Sequence, residues 1–513
     1  MNKRLILLLL STICANMLLR AQGKQATQDQ AYTLIQSVMH RYDCYRSFLS
    51  AATGNPAQQG YKYPSGLSSF YIKGDIKASK YPVFYQQGTG HKGLLFEAQS
   101  YLKRKKNTHL WGAAHYNVQH KKNLSWISSA DVEILYPYFL ADTLGGDLRA
   151  EEYAFQGGYS KQWVKWSIGG EVNYRASQEY RTEDPRPRNI VSDLNIKAGG
   201  AFLLSDSYNI GLTIKYGAYQ QRGDVTFYKE TGGISELQMD GLGSHYERFD
   251  GTKSDLCYEM STVQTSLNLL PINKKGFDLS ITYSHTVLER IMYGLNQAPI
   301  NSYYKHSLPV RLAYVKDGTS TFFSAGIMGE YSHKQGRNNI ISESTKGEYL
   351  PVGHLPMYAE ESMHSSVFAS YASKGKSVTW DIAPRIGIRH LSMEYLYPHR
   401  KLLLGNLNTH MSSGITLHKN KYILRSEIGV MYDHCFRHTL SVPIGLLKPF
   451  ENRYLHTTFG RISSNQWAIS CSESFHLQLS KNLILYTTLF VQGRFYSDKN
   501  RSCSSSLSFG INF

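Results

Sequence analysis

The chain has 513 residues, a formal charge of +17, 13% aromatic residues, 38 tyrosines and 42 glycines, at a mean hydropathy of −0.37. This excludes a helical membrane protein, since no stretch beyond the N-terminus could span as a helix, but not a barrel, whose polar lumen-facing residues dilute the hydropathy of every strand. The basic residues are dispersed, many of them in tight turns, and do not form the stripe of a nucleic-acid footprint, so no nucleic-acid partner is expected.

Met1 to Gln22 begins with Lys3 and Arg4, runs apolar from Leu5 to Leu10 and more weakly to Leu19, and places the small Ala21 at a plausible cut. Residues 1–22 therefore read as a secretory signal peptide, with Gln22 or Gly23 starting the mature chain. Cys14 follows Ile13 rather than the small residue a lipoprotein site wants, so no lipidation is expected there. Cleavage removes Lys3, Arg4 and Arg20 and no acid, which lowers the charge from +17 to +14. Five cysteines remain, Cys44, Cys257, Cys435, Cys471 and Cys503, without the spacing of a metal knuckle or a full disulfide framework. A single bridge near the outer rim stays open as an alternative.

Residues 23–65 do not alternate. From Gln30 to Leu49 the apolar side chains Tyr32, Ile35, Val38, Met39, Tyr42 and Leu49 recur at helical spacing, which predicts one short amphipathic helix. Asn55-Pro56-Ala57 ends it and leads towards the first strand. This segment either plugs a lumen or hangs in the periplasm.

From residue 66 to 513 the two-residue period of β-strands takes over. The clearest example sets Val164, Trp166, Ile168, Gly170, Val172 and Tyr174 on one face and Lys165, Ser167, Gly169, Glu171, Asn173 and Arg175 on the other. Strands are predicted at about 66–78, 92–103, 110–120, 152–159, 163–175, 191–204, 208–219, 257–269 and 277–289. They continue at about 308–316, 320–333, 364–373, 377–395, 402–417, 422–437, 466–479, 482–496 and 503–513. Short links alternate with long ones, as periplasmic turns alternate with outer loops in membrane barrels. The predicted fold is all-β, a transmembrane up-and-down antiparallel β-barrel of about 16–18 strands with a short N-terminal helical or irregular segment.

The polar strand faces supply lumen-lining candidates: Lys165, Glu171, Asn173, Arg175, Asp193, Lys197, Asp381, Arg385, Arg389, Arg425 and Glu427. Charges there either select what passes or pair with one another and fill the lumen. The mouth-loop candidates are Tyr136, Tyr138, Asp142 and Asp147 in one loop and Asp184, Arg186, Arg188 and Asn189 in the next. Their prolines stiffen the chain, and the loops either fold inward as a constriction or form rigid covers. Phe513, with apolar residues at every second place before it, resembles the signal read by the barrel-assembly machinery. No catalytic arrangement stands out, and no cofactor or metal site is expected; the histidines lack ligand spacing.

The Tyr136-Pro137-Tyr138, Ala141-Asp142 and Gly145-Gly146-Asp147 stretch, followed by Asp184-Pro185-Arg186-Pro187-Arg188-Asn189, resembles an uncharacterised family of outer-membrane barrels from Bacteroidetes-type bacteria. The resemblance runs from about residue 60 to the end and implies the fold and an outer-membrane location, without a substrate. Asn55-Pro56-Ala57 is similar to the hatch that leads into the first strand of long-chain fatty-acid and hydrophobic-compound channels, which have fewer strands than the count here.

The sequence favours a pore or uptake channel for an unknown small solute, selecting by lumen width and wall charges. Lipid and lipopolysaccharide would surround it. The competing reading is a plugged, non-conducting barrel whose long outer loops bind a partner or a surface glycan; an outer-membrane hydrolase comes third.

Overall fold

The computed structural model describes residues 33–52, 54–228, 236–251, 255–343, 349–443, 445 and 448–513. The signal peptide expected over 1–22 lies outside the described residues. Eighteen strands form one closed antiparallel barrel. The first nine are β1 Leu67–Ser79, β2 Gly90–Arg104, β3 Thr108–Leu124, β5 Gly146–Gln162, β6 Trp166–Tyr180, β7 Arg186–Ser205, β8 Tyr208–Thr226, β11 Asp255–Pro271 and β12 Lys275–Met292. The rest are β13 Ala298–Asp317, β14 Thr321–Ile341, β15 Pro351–Lys374, β16 Val378–Tyr395, β17 Arg400–Lys419, β18 Tyr422–Ser441, β19 Gln466–Ser480, β20 Leu483–Tyr496 and β21 Arg501–Asn512. Three short strands, β4 Phe139–Ala141, β9 Leu237–Gly241 and β10 Ser244–His245, make a separate sheet.

Each barrel strand pairs with its neighbour in sequence around the ring, and β1 closes it against β21, with Phe70 opposite Ile511 and Gly74 opposite Leu507. The backbone of Phe513 exchanges two 3.0 Å hydrogen bonds with Ser68 at this seam. Closure leaves no strand edge unpaired, which is what a sheet needs in lipid, where no water can satisfy a free backbone group. Alternation sets the two faces: on β6, Trp166 is 60% exposed on the outer face while Glu171 is 5% exposed on the inner one.

All eighteen predicted strands are present, but most run further outward than predicted. In β12 the apolar residues Phe277 and Ile281 face out near the periplasmic turn, whereas Leu288 and Met292 face in near the outer end. Further up, outward positions such as Gln220, Arg222, Glu259 and Glu289 are polar and exposed. The polarity of the two faces inverts because the upper barrel is filled rather than surrounded by apolar material. The wall is also uneven: β13 to β18 have 18–24 residues, while β19, β20, β21, β1 and β2 have 12–15.

Among the described residues five helices accompany the strands: α1 Leu34–Met39, α2 Cys44–Ala52, α3 Gln59–Lys62, α4 Val132–Leu135 and α5 Pro449–Ile462. The single helix expected over Gln30 to Leu49 is instead split into α1 and α2. Asp43 adopts an extended conformation between them, and its carboxylate accepts the Tyr45 backbone N–H at 2.8 Å, starting a second helix. Helix α5 falls where a loop was expected; Pro449 at its first turn and Glu451, whose carboxylate accepts the Lys448 backbone N–H at 3.0 Å, are its start signals. Cys44, Cys257, Cys435, Cys471 and Cys503 are all free thiols.

Candidate functional site

The lumen is occupied at both ends by the protein's own chain. At the outer end, residues 125–145 with α4 and β4, residues 236–251 with β9 and β10, and α5 fold together into a cap. Leu135, Tyr138, Phe139 and Met239 from the cap pack against inward-facing Tyr219, Tyr258, Leu288 and Leu404 of the wall. Arg290 of β12, fully buried, ties the two together. Its guanidinium donates to the Asn301 side chain and, at 3.0 and 3.4 Å, to the carbonyls of Met239 and Phe139, and it lies over the Tyr138 ring.

A second buried network holds the rim. Arg181 pairs with Asp142 at 3.1 Å, Ser128 donates to Glu236 at 2.9 Å, and Asn189 donates to the Ser128 carbonyl at 2.9 Å. Of the mouth-loop candidates, Tyr138, Asp142 and Asn189 are buried in the cap and its seat, and the Tyr136 carbonyl accepts from Lys334 at 3.0 Å. Asp147, Asp184, Arg186 and Arg188 stay at the outer edge. Asp147 meets His120 at 3.0 Å, Asp184 pairs with Arg186 at 2.8 Å, and Arg188 is exposed on the outer face of β7.

His245 latches the second and third parts of the cap, lying 2.5 Å from Asp250 and 2.8 Å from Glu451. Burial disfavours its charge, but the two carboxylates outweigh burial and raise its pKa to about 9. Burial, opposed by the Ser128 hydrogen bond and reinforced by Asp142, raises Glu236 to about 8. Both groups hold a proton in the closed cap that they release on opening, His245 between about pH 6.5 and 9 and Glu236 between about 4.5 and 8. Closure therefore binds protons, and raising the pH opposes it. Amide-exchange protection over residues 236–251, corrected for intrinsic rates, should fall from pH 5 to pH 9, and His245→Gln should flatten the upper part of that fall. Protection that rises with pH would show the assignment to be wrong.

At the periplasmic end, residues 33–52 and 54–66 fill the lumen as a plug. Val38 packs on Leu67, Ile423 and Ile484, and Tyr45, Phe48 and Leu49 pack on Leu270, Val315, Phe322 and Ala372. The Phe48 and Phe368 rings sandwich the Arg311 guanidinium. Asn55, fully buried, donates to the carbonyls of Gly200 at 3.1 Å and Leu212 at 3.2 Å, and Gln58 donates to Asn209 at 2.7 Å. Wall glycines make room for this turn: a Cβ at Gly169 would stand 2.5 Å from the Pro56 carbonyl carbon, and one at Gly211 2.6 Å from the Asn55 amide.

Between plug and cap the wall divides into two sectors. On β5 to β7 the charges satisfy one another: Lys197 and Glu171 lie 2.8 Å apart, Arg175 reaches Asp131 at 2.6 Å and Asp193 at 3.7 Å, and Asn173 donates to Glu171 at 3.0 Å. Across the lumen, Arg425 pairs with Asp381 at 2.7 Å and Glu427 at 2.9 Å. Lys165 is a correction. It lies in the periplasmic turn 163–165, exposed and off the wall, because β6 begins only at Trp166.

Arg385 and Arg389 are exposed on the inner face of β16 beside His410 and His364, and among the described residues neither has a carboxylate partner. A second unpaired group was not singled out from the sequence. On β1, Lys73 and Lys77 flank Asp75, which His91 holds at 2.7 Å, and Arg494 stands near Lys77. Alternation does place Lys73, Asp75 and Lys77 on a polar face opposite Ile72 and Ile76, but which charges find partners depends on strand register.

Residues 56–513 match the model of a family of unknown function. The chain belongs to DUF6850. The DUF6850 match takes in the whole barrel and its cap and starts at the buried Pro56. No curated protein matches the chain. Among solved structures it is similar to the siderophore receptor PiuA from Acinetobacter baumannii, at 7% identity over 86% of this chain and 82% of that one, with a TM-score of 0.41. It is also similar to the CymD monoaromatic hydrocarbon channel, at 11% identity over 89% and 96% with a TM-score of 0.28, and to the copper transporter OprC, at 6% over 86% and 80% with a TM-score of 0.36. At these values the DUF6850 chain inherits no ligand from any of them.

Among the described residues no group of three or more His, Cys, Asp or Glu side chains could hold a metal ion.

Proposed function

We propose that this protein is a gated uptake barrel of the outer membrane, admitting a small solute through a lumen that its own plug and cap keep shut. The observation that carries this reading is the coexistence of two folded stoppers with a polar stretch between them where Arg385 and Arg389 are exposed and, among the described residues, have no carboxylate partner. A wall built only to be filled would pair such charges, as β5 to β7 do. The signal peptide over 1–22 would deliver the chain to the envelope of a Bacteroidetes-type bacterium. Its last strand, ending in Phe513, would engage the barrel-assembly machinery, and lipopolysaccharide would cover the outer belt.

Barrels of this strand number enclose an aqueous channel once nothing fills them. The purified protein in a planar bilayer should therefore be silent at low voltage and conduct in discrete steps when moderate urea releases the plug and cap but leaves the barrel intact. Silence under both conditions would favour the adhesive reading, in which the cap and outer loops bind a partner or surface glycan.

A further inference from the structure

We propose that a cavity on the wall formed by β1, β2, β3, β20 and β21 binds a small anionic solute rich in hydroxyl groups, a sugar phosphate or sugar acid. The inference names a substrate class for the uptake reading and rests on that reading only for the direction of traffic. The cavity has a volume of about 290 Å³, at the lower end of ligand sites and suited to a single sugar ring.

Its charge is unbalanced. Lys73 and Lys77 point into it from β1, two residues either side of Asp75, and the Asp75 carboxylate is engaged by His91 at 2.7 Å. Among the described residues neither lysine has an ion-pair partner, and the Arg494 guanidinium adds a third positive charge close to Lys77. A ligand carboxylate or phosphate would relieve that repulsion through charge-assisted hydrogen bonds.

The rest of the lining suits a sugar. Every inward position of β21 from 502 to 508 is serine, and Ser504 and Ser506 stand opposite Lys77 and Asp75 and line the cavity. Their hydroxyls both donate and accept. The side-chain oxygen of Asn117, also in the lining, is buried and has no hydrogen-bond partner among the described residues. Such an atom is costly to leave unmet, and a ligand hydroxyl would satisfy it. The Phe490 ring supplies one apolar surface, which a sugar face of C–H groups covers well.

Calorimetric titration of the full-length detergent-refolded barrel tests this with four probes: glucose 6-phosphate, glucuronate, glucose and inorganic phosphate. Glucose 6-phosphate and glucuronate should bind, and glucose at least about tenfold more weakly, the loss expected for one charge-assisted contact. Inorganic phosphate should bind more weakly than glucose 6-phosphate. Lys73→Gln with Lys77→Gln should reduce sugar-anion affinity about tenfold or more. Lys165→Gln, in its periplasmic turn, should not change it. Asn117→Leu should weaken both sugar anions and leave inorganic phosphate unaffected. The proposal is overturned if neither sugar anion binds, if glucose binds as tightly as they do, or if the double lysine variant keeps wild-type affinity. Binding without flux through the bilayer would remove the uptake reading alone, and flux without binding would remove this site alone.

Discussion

Valine at Gly169 should convert a silent barrel into a conducting one. The glycine lies on the inner face of β6, and any Cβ there would stand 2.5 Å from the Pro56 carbonyl carbon and 2.7 Å from the Ala57 backbone nitrogen. Both are backbone atoms of a turn held by Asn55 and Gln58, so they cannot step aside while those side chains keep their four hydrogen bonds. The strand itself tolerates valine, a good β-former. The cost therefore falls on the plug, which forfeits those bonds at about 1 kcal/mol each. Expected observations are stepwise conductance in a planar bilayer and new trypsin cleavage at Arg46 or Lys62, with the barrel still resistant. Gly157→Val, at a position on the outer face of β5 with open space around it, is the control and should remain silent. A silent, protease-resistant Gly169→Val protein would mean that the turn does not close the lumen.

Arg290→Met should release the cap. Methionine keeps much of the side-chain volume but removes every donor to the Phe139 and Met239 carbonyls and to Asn301, as well as the cation over Tyr138. It also leaves Asp240, fully buried and hydrogen-bonded by Tyr395 at 2.8 Å and Asn338 at 2.9 Å, without its nearby cation. Leaving a buried acceptor unmet typically costs about 1–3 kcal/mol, and the loss of all these donors together is enough to favour an open cap over a closed one. Protease cleavage within 125–145 and 236–251, at unchanged heat resistance of the barrel, would report it. Asp240→Asn in the Arg290→Met background should restore part of the protection, since it removes the stranded carboxylate. If the single variant is as protected as wild type, the cap is held elsewhere.

The barrel was legible in the sequence wherever one strand face meets lipid and the other water. That contrast is what alternation records, and it located β6, β12 and β21 directly. It weakens above the membrane, where Leu288, Leu391 and Leu404 turn inward to meet the cap and outward positions such as Glu289 meet water. The outer halves of β13 and β15 were missed for that reason. β4, β9 and β10, at two to five residues, are too short to show a period at all. The charged wall positions were legible as a face, but not as partners: Glu171 meets Lys197 and Arg175 meets Asp131 through register and through a loop that folds inward from 44 residues away. Lys73 and Lys77 were equally visible and carried no mark of being left over.

The unequal strands give the molecule a slanted collar. At about 3.3 Å per residue and a tilt of about 40°, the 24 residues of β15 rise about 60 Å, whereas the 12 of β21 rise about 30 Å, little more than the oily thickness of the bilayer. One flank thus stands tall like a windbreak, and the flank of β19 to β2 that adjoins it scarcely clears the lipid headgroups. On the uptake reading, a bulky visitor would be held off by the high flank, whereas a small molecule would enter over the low lip, directly above Lys77 and Ser504.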